Sequence, residues 1–343
     1  MKSVGVAVVG YGYWGVNLTR NVARASTTEL VGVVDPDAER RAAALGSHPD
    51  SAIWASMDEA LLDSRVDAVV IATPASTHVE LAVEALQAGR DILVEKPLAE
   101  TSADAEKIVQ LAADEERVLM VGHTFMYSPA VRHLRRLIDE GELGRVQYLY
   151  SQRLSLGRIR RDCNALWNFA PHDVSIMLHL LDERVVEVTA KGFAFIDPDV
   201  EDVCFASLTF ESGVGANLHV SWIDPRKTRL MTVVGDEKMA IYNDVSVDQP
   251  VWIVDSGVAR DSDLGAFESL GDFQWRTRAG DIHIPRIEMS EPLQVEIEAF
   301  GNACRSRVHP TTDGQHGLEV VKVLEAIDRS AQASGRPVEV DHD

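Results

Sequence analysis

The chain has 343 residues, 45% apolar and 25% charged, which is enough for about two domains with buried cores. Lys and Arg number 33 against 54 Asp and Glu, a formal net charge of −21. That balance repels a polyphosphate backbone and anionic lipid, so general nucleic-acid binding and membrane-surface binding are both disfavoured. No apolar run reaches the ~18 residues of a transmembrane helix. Gly-rich turn chemistry follows the first apolar run, where a secretory signal would carry its cleavage site. Cys163, Cys204 and Cys304 are too scattered for a disulfide frame or a zinc site. The expectation is three buried thiols in a cytoplasmic protein without a metal.

In chain order, Val4–Val9 is an apolar run ending at Gly10, and a helical pattern follows through Arg24. Further apolar runs are Leu30–Val34, Val66–Ala72, Ile92–Val94 and Val118–Val121, separated by helix-like stretches such as His78–Ala88 and Ala103–Ala113. Fully apolar strands spaced by helices are what a parallel sheet covered on both faces requires, so residues 1–125 read as a doubly wound α/β domain. A helix is expected over Pro129–Glu140 and a turn over Gly141–Gly144. Strands then cluster at Val146–Arg153, Val185–Ile196, Val203–Phe210, Val214–Trp222, Arg229–Val234 and Met239–Tyr242, with a hairpin turn at Glu211-Ser212-Gly213. Helices are expected near Pro171–Leu181, Leu293–Arg305 and Leu318–Ala333, and a loop-rich excursion over Asp255–Gly280. Residues 126–343 thus read as an α+β domain with a largely antiparallel sheet, leaving open whether its closing helix packs back on the first domain.

Gly10-Tyr11-Gly12-Tyr13-Trp14-Gly15 fits G-x-G-x-x-G after a strand and at the start of a helix. Gly10 permits the tight turn, Gly12 lets backbone approach a pyrophosphate, and Gly15 allows close helix–strand packing; the helix N-terminus, at Tyr13 and Trp14, favours an anion. Asp35 stands 20 residues beyond Gly15, at the end of the second apolar run. A carboxylate there accepts hydrogen bonds from a ribose diol and repels a 2′-phosphate, so NAD is favoured over NADP. Arg40 and Arg41 nearby keep NADP as the second choice. Thr73-Pro74, with His78 four residues on, and Glu95-Lys96-Pro97 end two later strands. In an open parallel sheet such ends line one crevice.

With these motifs the sequence resembles the glucose–fructose oxidoreductase / inositol dehydrogenase (Gfo/Idh/MocA) family. The resemblance rests on GYGYWG, Asp35, TPASTH at 73–78, EKP at 95–97 and a closing stretch over Thr312–Val340. It implies a Rossmann domain for NAD(P), an open-faced sheet in the second domain serving substrate binding and oligomer contacts, and reversible hydride transfer at a secondary alcohol of a sugar or polyol. The family presents an Asp and a His four residues apart entering a helix. Here the matching residues are Asn168 and His172, with Asp173 as a substitute acid. The implied roles are His172 as general acid/base, Lys96 stabilising the reacting oxygen, and Asn168 orienting by hydrogen bonds.

Phe125 and Met126 replace arginines common in relatives, which implies a less polar substrate wall carrying the Tyr127 hydroxyl. Arg153, Arg158, Arg160 and Arg161 cluster within nine residues of an acidic chain. Arginine forks suit phosphate oxygens, pointing to a nucleotide-diphosphate sugar; an oligomer contact pairing them with carboxylates is an equal alternative. Inositol or a free aldose is the second substrate class, and a non-catalytic NAD-binding regulator the second kind of function. A homodimer or homotetramer through the second sheet is expected.

Overall fold

The computed structural model describes residues 3–157, 159–260 and 275–342. The chain divides into two compact units, one of residues 1–128, 290–325 and 342–343, the other of residues 129–289 and 326–341.

In the first unit, strands β1 (Val4–Val9), β2 (Thr28–Val34), β3 (Ala52–Trp54), β4 (Ala68–Ile71), β5 (Asp91–Glu95) and β6 (Leu119–Gly122) form one parallel sheet in the order 3-2-1-4-5-6. Helices α1 (Gly15–Arg24), α2 (Ala38–Ser47), α3 (Met57–Leu61), α4 (His78–Gln87) and α5 (Ser102–Asp114) connect them. β1, β4 and β5 are buried along their whole length, as a sheet covered on both faces demands. Asp37 caps α2 by accepting from Glu39 and Arg40 N–H groups, and Thr101 caps α5 by accepting from Asp104 N–H. The strand order reverses between β1 and β4, so the crevice beyond their carboxyl ends is the switch point where such sheets bind ligands.

The second unit holds α6 (Pro129–Asp139), β7 (Val146–Leu154), α7 (Ala165–Leu181), β8 (Val185–Phe193), β9 (Val203–Phe210), β10 (Gly215–Ser221), β11 (Thr228–Gly235), β12 (Met239–Asn243), β13 (Val251–Val254), the hairpin β14 (Gly257–Arg260) and β15 (Trp275–Arg278), and β16 (Ile282–His283). Its main sheet runs 16-13-12-11-7-10-9-8-17, where β17 is Val338–Glu339. Only β7 and β10 pair parallel; the other pairings are antiparallel. In β9 the residues Cys204, Ala206 and Leu208 are buried while Phe205, Ser207 and Thr209 are exposed. α7 packs on the buried side of β7, β9 and β10. The other side is open, with Tyr148, Tyr150, Phe205 and Trp252 exposed upon it.

Four differences from the sequence-based expectation have physical causes. Helix α8 (Pro292–Ser306) belongs to the first unit, its Leu293, Ile297, Phe300 and Cys304 joining the core built on β1, β4 and α1, and so does the first part of α9 (Gly314–Gln332), the closing helix whose return the sequence left open. Helix α7 starts six residues before Pro171 because Asn164 caps it, its side chain accepting from Trp167 N–H at 3.0 Å; the interior proline merely deletes one helical donor. The 255–280 excursion contains the β14–β15 hairpin. Cys163 is half-buried, unlike Cys204 and Cys304.

Candidate active site

In the first unit the glycine turn is shaped by contact. Gly10 has φ +96°, and a Cβ on Gly15 would lie 1.9 Å from the Gly10 carbonyl oxygen, so neither position admits a side chain. Gly12 differs. A Cβ there would meet nothing nearer than Arg40 Nη1 at 3.8 Å, so the fold alone does not require this glycine. A backbone kept bare beside open space suits a dinucleotide pyrophosphate. No side chain caps the start of α1. Tyr13 is exposed and Trp14 partly so.

Asp35 is buried, Oδ2 accepting from Tyr11 N–H at 2.8 Å and Oδ1 from Asp37 N–H at 2.9 Å. Arg40 Nη1 stands 3.7 Å from Oδ2. Arg41 Nη1 donates to the backbone oxygens of Asp35 and Pro36, both at 2.8 Å, which ties it to the chain rather than to a ligand phosphate.

At the ends of β4 and β5, His78 is fully buried, Nδ1 2.8 Å from the Pro97 oxygen and Nε2 3.0 Å from the Thr73 oxygen. Burial lowers its pKa, against the pull of those two carbonyls. His78, expected to touch the cofactor, is therefore a clamp between the Thr73-Pro74 and Lys96-Pro97 segments. Glu95 is also turned inward. Trp14 Nε1 donates to its Oε1 at 2.5 Å and Lys96 N–H to its Oε2 at 3.2 Å. Burial pushes the Glu95 carboxyl up to about 7, opposed by Lys96 and Trp14. A Cβ on Gly122 would lie 2.9 Å from Glu95 Oε1, so that glycine at the end of β6 makes room for the carboxylate. Lys96 is half-buried next to it.

Tyr127 departs from its expected role. It is 1% exposed, with its hydroxyl 3.1 Å from Thr312 Oγ1, so it belongs to the core and offers no hydroxyl to a substrate.

In the second unit, His172 lies half-buried on α7 one residue after Pro171. Asn168, one turn earlier, accepts from Trp222 Nε1 at 3.1 Å, and that indole is buried. Trp222 in turn donates its N–H to the Asp202 oxygen and accepts from Gly157 N–H, so it joins α7 to the loop bearing the arginines. Asp173 and Arg153 are corrected together. Both are buried, with Arg153 Nε donating to Asp173 Oδ2 at 2.6 Å and Nη2 to Oδ1 at 3.2 Å. A carboxylate and a guanidinium committed to each other in the interior are not a substrate contact. Arg160 pairs with Asp162, Nε to Oδ1 at 2.9 Å, and Arg161 is exposed. Arg158 lies outside the described residues.

Sequence reasoning read Trp222 as a core or interface residue, which its burial matches, and gave no role to His123 or Glu296. For Glu296 a signal existed: it interrupts the apolar stripe Leu293, Ile297, Phe300 of α8. Among the described residues, no group of three His, Cys, Asp or Glu side chains could hold a metal, and no helix is long and apolar enough to cross a membrane.

The chain matches the model of the GFO_IDH_MocA oxidoreductase family, NAD-binding Rossmann fold, over residues 4–123, and the GFO/IDH/MocA C-terminal domain over residues 131–241. It is 32% identical over 234 residues to the UDP-N-acetylglucosamine 3-dehydrogenase of Acidithiobacillus ferrooxidans, covering 68% of this chain and 72% of that one. The solved structure of that enzyme superimposes with a TM-score of 0.79 at 28% identity, over 97% of this chain and 99% of the other. Inositol 2-dehydrogenase 2 of Saccharopolyspora erythraea is 30% identical over 64% of this chain and 66% of its own length. GenD2 from gentamicin A biosynthesis, solved in complex with NAD, gives a TM-score of 0.81 at 26% identity over 99% of this chain and 97% of that one. With the bare Gly12, the inward Asp35 and the EKP segment on one parallel sheet, these likenesses make the chain a member of the GFO_IDH_MocA oxidoreductase family.

Proposed function

We propose that this oxidoreductase uses NAD to interconvert a secondary alcohol and a ketone on a sugar carried by a nucleoside diphosphate. The observation that carries the reading is the Trp14–Glu95 hydrogen bond, which fastens the glycine turn to the segment bearing Lys96. It makes Lys96 part of the same mouth as the dinucleotide turn. When bound, NAD supplies the hydride acceptor.

The chain supplies the rest. Asp35 orients the adenosine ribose, its burial and its backbone donors fixing the carboxylate. Lys96 hydrogen-bonds the reacting oxygen and stabilises alkoxide character as the carbonyl forms. His172 takes the hydroxyl proton as a neutral imidazole and returns it in the reverse direction. Asn168, with its carbonyl held by Trp222, fixes the turn of α7 that carries His172. Arg158, Arg160 and Arg161 remain the arginines proposed for a diphosphate, Arg160 exchanging Asp162 for phosphate. The similarity to a UDP-N-acetylglucosamine dehydrogenase supports the nucleotide-sugar class over inositol, the second reading. Two copies of the chain meet through the open face of the second sheet.

The test is reduction of NAD followed at 340 nm with UDP- and dTDP-sugars, inositol and free aldoses. Lys96→Met and His172→Ala are expected to lose at least about 100-fold in kcat while NAD affinity changes by less than about threefold. Turnover retained by either variant would remove that residue from its role. Raised KM for nucleotide sugars in Arg160→Ala/Arg161→Ala, with unchanged KM for NAD, supports the diphosphate contact.

A further inference from the structure

Among the described residues of the first unit, Glu95 and Glu296 are two buried carboxyl side chains. Glu95 is 9% exposed and Glu296 is 0% exposed. Each oxygen of Glu95 accepts a hydrogen bond, one from the Trp14 indole and one from Lys96 N–H. That pattern fits a carboxylate. Glu296 accepts from Thr124 Oγ1 at 2.9 Å through Oε2, while its Oε1 is buried with no hydrogen-bond partner among the described residues. An ionised carboxylate left in that state would carry a large desolvation cost.

We propose that Glu95 and Glu296 act as a carboxyl pair that keeps a single proton, held on Glu296, so that Glu95 stays available as the counter-ion of Lys96. Both are positioning residues. The inference deepens the reading of Lys96 given above and rests on it only for its effect on turnover.

The surroundings bear it out chemically. Lys96 and Trp14 act on Glu95 and Thr124 acts on Glu296; Gly122, against Glu95, and Thr124, bonded to Glu296, are two residues apart at the end of β6, and the charge of Glu95 opposes ionisation of Glu296. His123, next to Thr124, is buried and kept neutral by that burial and by the charges of His316 and Lys96; its ring meets His316 edge-on with centroids 5.4 Å apart. It therefore brings no cation to Glu296. Burial and the neighbouring Glu95 push Glu296 well above the usual carboxyl range. Two like charges in a low-dielectric interior do not ionise together, and the pair titrates in two separated steps.

The test uses the full chain without cofactor. Infrared spectra at about pH 8 should show a protonated-carboxyl C=O stretch in wild type that vanishes in Glu296→Gln; its absence from wild type overturns the proposal. Fluorescence of wild type minus Trp14→Phe should report a titration near 7, absent in Glu95→Gln. Glu296→Gln, which mimics the protonated acid, should move that midpoint by less than about half a unit, whereas a fall of about one unit or more means that Glu296 was charged and overturns the proposal. Glu95→Gln should lower kcat about tenfold or more with nearly unchanged NAD affinity. If the spectroscopic results hold while no sugar is oxidised, the pair stands and the reading of the activity falls.

Discussion

Arg153 grips both oxygens of Asp173 in the interior of the second unit, one residue along α7 from His172. Burial pushes the Asp173 carboxyl up, and the Arg153 guanidinium pulls it back. Arg229, which pairs with Asp244 at 2.9 Å, adds to that pull, and Tyr242 donates to the same aspartate. Removing one member leaves an uncompensated buried charge. Arg153→Met is expected to cost about 3–5 kcal/mol in urea unfolding, and Arg153→Met with Asp173→Leu to recover most of it. A loss confined to nucleotide-sugar KM, with stability unchanged, would return Arg153 to the substrate site.

In the proposed reading, Asp35 carries the choice of cofactor. Its carboxylate is anchored by Tyr11 and Asp37 N–H groups, and Arg40 approaches to 3.7 Å. Asp35→Ser should raise KM for NAD about tenfold or more and narrow the preference over NADP, because the 2′-phosphate then meets Arg40 without a competing negative charge. Steady-state kinetics with both cofactors checks this, and an unchanged ratio contradicts it.

Stability should depend on pH through the buried carboxyls of the first unit. Glu95 is raised from its ordinary 4.5 to about 7, and Glu296 is raised well above the ordinary carboxyl range by burial and by Glu95. The folded chain therefore holds protons that the unfolded chain has released. This contribution is complete below about pH 4.5 and is lost as pH climbs through 7 and beyond. Glu296→Gln cannot ionise, so its Tm should overtake that of wild type as pH rises from 6 towards 9, by about 2–4 °C for each kcal/mol involved. Parallel melting curves across that range would contradict it.

The open sheet face offers a test of assembly. A cross-strand row of Trp252, Ile241, Thr232, Tyr150, Asn217 and Ser207 spans β13 to β9 in register. Exposed aromatic side chains at Tyr150 and Trp252 are what a second copy would cover. Light scattering should find an oligomer in wild type and a monomer in Tyr150→Glu/Trp252→Glu, with the circular dichroism retained.

Much of this molecule could be read from its residues, and the failures share a cause. The strands β1, β4 and β9 are legible because burial on two faces, or on one, writes itself as a run or an alternation. Gly12 and Asp35 stand out in the sequence because their spacing is that of a dinucleotide-binding turn. Arg153, Asp173, His78 and Tyr127 look like site residues in one dimension, because a charge or a ring near a motif resembles a ligand contact. Only three-dimensional pairing shows Arg153 spent on Asp173, His78 spent on two carbonyls, and Tyr127 packed beside Thr312. Pro171 misplaced the start of α7 because the capping Asn164 carries more weight than one lost donor. The return of α8 to the first sheet is a long-range contact that no local pattern encodes.

The most direct measurement is absorbance at 340 nm with NAD and the sugar panel, run beside Lys96→Met and His172→Ala with NAD binding measured in each. A nucleotide-linked sugar is expected to reduce NAD in wild type, while both variants bind NAD yet scarcely turn over. NAD binding without reduction by any sugar, or full turnover in either variant, would contradict it.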